Sequence, residues 1–183
     1  MTDEAILIKE LSNEKTKEKA FRELITLYKE PLYWHIRKIV ISHDDADDVL
    51  QNTFIKIFKN ITKFKQKSKL YSWMYRIATN ESITFMNKRA KERTVDVFEI
   101  KTQLISDLES DQWFSGDEIQ FILQKAIAAL PNKQQLVFNM KYFDALKYTE
   151  ISKILNTSVG GLKASYFHAV KKIEIYIKNN KHN

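Results

Sequence analysis

Between residues 46 and 61 the side chains Ala46, Val49, Leu50, Thr53, Phe54, Ile57, Phe58 and Ile61 recur every three or four positions. That spacing draws one continuous apolar stripe on an α-helix, whereas on a strand the same residues would scatter over both faces. Ser42 is placed to cap such a helix, and Asp44 and Asp45 fall in its first turn, where the positive helix end favours carboxylates. The alternative, a turn-rich sandwich or barrel, needs glycine and proline at many corners, and the 183 residues contain three Gly and two Pro. No glycine-rich phosphate loop occurs, so nucleotide-binding α/β folds lose their usual signature.

The same periodicity runs along the chain. Ala20, Phe21, Leu24, Leu27 and Tyr28 form a stripe upstream, after which Pro31 is expected to start or kink a second helix carrying Leu32, Ile36, Ile39 and Val40. A helix from Leu70 to about Lys88 is dense in aromatics, with Tyr71, Trp73, Tyr75 and Phe85. Further on, Ile119, Ile122, Leu123, Ala126, Ile127 and Leu130 read as helix, and Pro131 opens another through Leu136, Val137 and Met140. Two closely joined helices follow, residues 148–155 and about 159–177, with Asn156, Thr157 and Ser158 between them. The expected fold class is all-α.

Charge divides this helical chain. Residues 56–93 carry eleven Lys and Arg against Glu81 and Glu92, residues 94–118 carry seven carboxylates against Lys101, and residues 163–181 carry five Lys against Glu174. Two basic modules separated by an acidic linker are expected, with boundaries at residues 1–93, 94–116 and 117–183. Two small domains on such a linker should reorient unless a partner clamps them, and the linker could lie against the basic faces and mask them. Like-charged modules are suited to one polyanion. The chain has no cysteine, which removes disulfides, thiolate metal sites and Cys nucleophiles and fits a reducing cytoplasm. An acidic start, Met1-Thr2-Asp3-Glu4, lacks the basic and apolar regions of a signal peptide, and no apolar run reaches the roughly 20 residues of a membrane helix. The expectation is a soluble cytoplasmic protein with no membrane insertion.

Two segments carry nucleic-acid chemistry. Residues 148–163 are organised as a helix-turn-helix: Ile151, Ile154 and Leu155 pack the first helix, Ser158 caps the second, and Leu162, Tyr166, Ala169, Val170 and Ile173 face inward. Such a second helix fits the DNA major groove, with early residues near base edges and later lysines on phosphates. Residues 63–76 interleave Lys63, Lys65, Lys67, Lys69 and Arg76 with Phe64, Tyr71, Trp73 and Tyr75. Cations that track a backbone and flat rings that stack on unpaired bases are what single-stranded nucleic acid requires. An ordinary reading competes at each: a helical hairpin for the first, and a core of Trp73, Ile77 and Phe85 beneath a lysine-solvated loop for the second.

In order and spacing, three blocks resemble the bacterial sigma factors of the extracytoplasmic-function (ECF) group: Asp45 to Phe54, Ser72 to Asn80, and Leu130-Pro131 through Phe138, Tyr142 and Phe143 to the helix-turn-helix. The resemblance implies two helical domains, a region 2-like bundle and a region 4-like helix-turn-helix, acting together as a promoter-directing factor and not as an enzyme. Its implied partners are core RNA polymerase, through the β′ clamp helices and the β flap, promoter DNA and an anti-sigma factor. Neither a cofactor nor a small-molecule substrate is implied. Carried over residue by residue, Asp47, Asp48 and Gln51 would meet the polymerase. Phe64, Lys65, Lys67, Lys69, Trp73, Arg76 and Asn80 would hold the unpaired −10 strand, and Lys163, Ser165, His168, Lys171 and Lys172 would meet the −35 duplex. The linker would thread near the RNA exit path. The chain departs from the pattern at Gly161, Ala164, Ser165 and His168, where members often carry Thr, Ser or Arg, so guanine-reading guanidiniums are few.

Two other readings bear on the same residues. His43 with Asp44, Asp45, Asp47 and Asp48 would, in an enzyme, be a divalent-metal site for nucleic-acid hydrolysis, but one helix supplies a stripe of carboxylates without a second wall. A stand-alone helix-turn-helix regulator would explain residues 148–173 and leave residues 64–80 and the Asp47/Asp48/Gln51 face without a task.

Overall fold

The structure, a computed structural model, describes residues 3–66, 68–106 and 118–180. Among them lie helices α1 (Asp3–Leu11), α2 (Lys17–Val40), α3 (His43–Asn60), α4 (Leu70–Arg93), α5 (Val97–Ser106), α6 (Glu118–Ala128), α7 (Asn132–Tyr142), α8 (Tyr148–Leu155) and α9 (Val159–Asn180), with a 3₁₀ turn at Ile61–Lys63 and no strand. The chain is all-α, as its periodicity predicts.

Local chemistry sets the ends. Ser42 takes the extended N-cap conformation of α3 and its hydroxyl accepts from the Asp45 N–H at 3.4 Å. α2 ends at Ile41 and α4 at Thr94, both at positive φ, 70° and 56°. Pro31 neither starts nor ends a helix: α2 runs through it for 24 residues. Its lost hydrogen bond is outweighed because the stripe buries on both sides of it, Ala20 and Leu24 before and Leu32, His35, Ile36, Ile39 and Val40 after.

α1 to α4 form one bundle, in which α2 packs on α1, α3 and α4, and α3 packs on α4. α6, α7 and α8 pack around α9, and α7 also on α8. The acidic linker is itself partly helix: α5 rests on α4 and α6, with Ile100, Lys101 and Ile105 buried. The carboxylates Asp107, Glu109, Asp111 and Asp117 lie outside the described residues.

The two bundles do not stand apart. α8 packs on α4 and α7 on α2, and one continuous core joins Leu32, Ile36, Leu70, Met74 and Met86 to Val137, Met140, Ile151, Ile154 and Leu162. The expectation of freely reorienting domains is therefore corrected. Charge pattern alone suggested separate modules, but apolar residues of both bundles share one buried cluster. A second cluster, Ala126, Ile127, Leu130, Phe138, Ala169 and Ile173, is internal to the C-terminal bundle.

Candidate nucleic-acid and polymerase interfaces

α3 turns Ala46, Val49, Leu50, Thr53 and Ile57 inward, which by helical geometry leaves Asp47, Asp48 and Gln51 exposed on the opposite face. Asp45 does not join them. Its carboxylate is half-buried and pairs with the Arg89 guanidinium of α4. His43 reaches Asp47 across one turn, Nε2 to Oδ2 at 3.5 Å. Among the described residues no group of three or more His, Cys, Asp or Glu is placed to hold a metal ion. Beside Gln51 an apolar groove of about 560 Å³ opens between α2 and α3, walled by Phe21, Ile25, Phe54, Ile55 and Phe58. Sequence reasoning missed it, although Ile55 lies off the buried stripe and is the signal.

At the head of α4 a pocket of about 360 Å³ is lined by Lys63, Phe64, Lys65, Ser68, Ser72, Trp73, Arg76 and Lys153. The Phe64 and Trp73 rings are tilted to one another with centroids 5.3 Å apart, both half-buried. The interior side of α4 is made instead by Leu70, Met74, Tyr75, Ala78 and Met86, so Trp73, Ile77 and Phe85 are only partly core. The structure thus gathers four of the seven predicted strand-contact residues, Phe64, Lys65, Trp73 and Arg76, into one site. Asn80 is exposed one turn beyond Arg76, outside the pocket, and Lys67 lies outside the described residues. Lys69 is turned aside: its ammonium lies 3.1 Å from Glu150 Oε1 of α8. Burial and the Glu150 carboxylate together push the Tyr71 phenol up to about 12. Lys153 could not have been read from local sequence, because it arrives from α8.

The helix-turn-helix forms where expected. Asn156 turns the chain in the left-handed region, φ 49°, which asparagine tolerates, and Ser158 Oγ accepts from the Gly161 N–H at 3.2 Å. Leu162, Ala169 and Ile173 anchor α9. Lys163, His168, Lys171 and Lys172 are exposed on its far side, whereas Ser165 is half-buried on the flank. The residue missed is Phe167, 54% exposed at the centre of that outer face with the Lys171 ammonium 4.6 Å from its ring centroid. Its place one turn from both Lys163 and Lys171 was the available signal.

Comparison with known proteins follows the same division. Residues 24–92 match the model of Sigma-70 region 2, and residues 120–173 match that of Sigma-70, region 4. The chain is 31% identical over 152 residues to the ECF RNA polymerase sigma factor SigW of Bacillus subtilis, covering 79% of this chain and 81% of that protein. It is 27% identical over 169 residues to the ECF RNA polymerase sigma-E factor of Escherichia coli K12, with 88% of each covered. In fold it is similar to RpoE of Bartonella quintana, solved with the anti-sigma factor NepR, at TM-score 0.67 and 21% identity, covering 88% of this chain and 99% of that one. It is also similar to CnrH, solved with the cytosolic domain of CnrY, at TM-score 0.70 and 17% identity over 97% and 98% of the two chains. With both sigma regions in order and a relative above 30% identity over 79% of its length, the chain belongs to the family of ECF RNA polymerase sigma factors, the factors that direct polymerase to promoters.

Proposed function

We propose that this sigma factor binds core RNA polymerase through the exposed Asp47, Asp48 and Gln51 face of α3, holds the opened −10 strand at the head of α4, and reads −35 duplex with α9. The observation that carries this reading is the pocket in which Lys63, Lys65 and Arg76 surround the Phe64 and Trp73 rings. Cations beside a pair of aromatic rings suit a phosphate chain with unpaired bases, and a duplex-only regulator has no use for them. A base turned out of the strand would lie against Trp73 with its flanking phosphates on the lysines and Arg76. On α9 the exposed Lys163, Lys171 and Lys172 suit phosphates, and the exposed Phe167 ring suits an apolar contact such as a thymine methyl. An anti-sigma factor is the further partner we propose, since RpoE of Bartonella quintana, a protein of the same fold, was solved with one.

The test mixes the purified chain with sigma-free bacterial core polymerase and measures binding together with run-off transcription from a genomic promoter pool. Tight binding and initiation at a restricted promoter set is the expected result. Recognition of duplex sites by a chain that ignores the polymerase would overturn it.

A further inference from the structure

Where α4, α5 and α7 meet, a small cavity of about 60 Å³ is walled by Ile39, Met86 and Leu136 and by the side-chain amides of Asn87, Asn132 and Gln135. Lys101 of α5 belongs to the same wall and is 4% exposed. Its ammonium donates to Asn132 Oδ1 at 3.1 Å and to Gln135 Oε1. Both of these amides line the cavity, so the charged end of Lys101, and not its stem, stands beside it. An ammonium has three N–H donors, and the two bonds leave one over. Each amide that gives its oxygen to Lys101 also keeps an NH2 group to donate.

This corner of the molecule is positive and lacks a counter-charge. Among the described residues no carboxylate lines the cavity, and Lys101 forms no ion pair. Burial alone lowers its ammonium to about 8, with no charged neighbour taking part, so at neutral pH it is still a cation. α7 adds to the positive field. Asn132 is its first residue, its N-terminus has no side-chain cap, and its first turn holds no acidic residue. Amide oxygens offer partial charges only, and a cation buried this deeply is costly until a full negative charge lies beside it. The cavity has room for a water-sized ion, and one ammonium balances one negative charge.

We propose that this cavity is a binding site for a small monovalent inorganic anion of the size of chloride, paired with the third N–H of Lys101 and hydrogen-bonded by the amide NH2 groups of Asn132 and Gln135. Lys101 comes from α5 and both amides from α7, so the bound anion ties the helix of the acidic linker to the C-terminal bundle. Folding then gains the free energy of anion binding.

Chloride is the probe, and the full chain is used throughout. Exchange of chloride through the site should broaden the chloride NMR line, and bromide, a competitor of similar size, should remove the excess width. Lys101→Met deletes the cation and is expected to remove that excess as well. Val97→Phe is the second variant: Val97 is a half-buried wall residue, and a ring there narrows the cavity while Lys101 and its amides stay in place. It too should lose the broadening. Urea unfolding gives an independent reading at constant ionic strength, with sodium gluconate, whose anion the cavity cannot admit, exchanged for sodium chloride. At a chloride concentration ten times the dissociation constant the folding equilibrium constant should rise about elevenfold in the unaltered chain and stay level in Lys101→Met. Broadening that persists in both variants would overturn the proposal, as would a chloride effect on stability that Lys101→Met shares. A chain whose chloride linewidth and stability both ignore chloride would overturn it equally.

Discussion

Lys101 carries a cation into the interior of the seam, 4% exposed, where amide oxygens of Gln135 and Asn132 meet it. Burial lowers its ammonium from the ordinary 10.5 to about 8. Between about pH 8 and 10.5 the unfolded chain still binds a proton that the folded chain has released, so this group adds stability as pH rises. Below pH 8 both states are protonated and the burial cost is felt in full. Lys101→Met should therefore melt higher at pH 7, and the stability gap to the unaltered chain should shrink by about 3 kcal/mol by pH 10.5, measured by urea unfolding across pH. Thr94 makes a smaller case: a β-branched residue closes α4 at φ 56°. Thr94→Gly should stabilise by about 1 kcal/mol in the same assay. In the sequence Lys101 is only the lone cation of an acidic stretch, which suggests a solvated charge. Its burial depends on Gln135 and Asn132, more than thirty residues away.

Element by element, the faces were legible where one helix decides its own geometry. The stripe from Ala46 to Ile57 set the outward direction of Asp47, Asp48 and Gln51 without tertiary information. Because these three are exposed, Asp48→Ala with Gln51→Ala should abolish core-polymerase binding in a pull-down and leave the melting temperature unchanged. α9 gives a second test. Replacing Lys163, Lys171 and Lys172 with Ala should weaken duplex binding in a salt titration and flatten its log–log slope by roughly 0.9 for each phosphate no longer neutralised. Phe167 was not legible as a surface residue, since an aromatic at helical spacing reads as core until its neighbours are placed. The helix start expected at Pro31 does not occur for a related reason: apolar packing on both sides carries α2 through it.

For the whole molecule, the joined core makes a thermodynamic claim. Because Leu32, Ile36 and Met74 share a cluster with Met140, Ile151 and Leu162, the bundles should unfold together. Scanning calorimetry should show one transition with equal calorimetric and van't Hoff enthalpies. Two separated transitions would mean that the seam contributes little and that the bundles behave as independent domains. The charge pattern argued for two modules, and the family regions at residues 24–92 and 120–173 fall on the two sides of the acidic segment. What that pattern does not contain is whether the modules touch.

Properties that follow from spacing along one chain were determined by the sequence alone: the all-α class, most helices and their inward faces, the turn at Asn156 with its Ser158 cap, and the mixture of cations and rings around Trp73. Each depends on neighbours within about one or two helical turns, where backbone geometry dictates which side chains share a face. Tertiary structure alone decided the inward turn of Asp45 to Arg89, the capture of Lys69 by Glu150, the arrival of Lys153 in the pocket, and the His35–Asp144 bond across 109 positions. These are meetings of charges from distant segments. Their partners are chosen by how helices pack, α3 on α4 for Asp45 and Arg89 and one bundle on the other for the rest, which is a property of no single stretch of sequence.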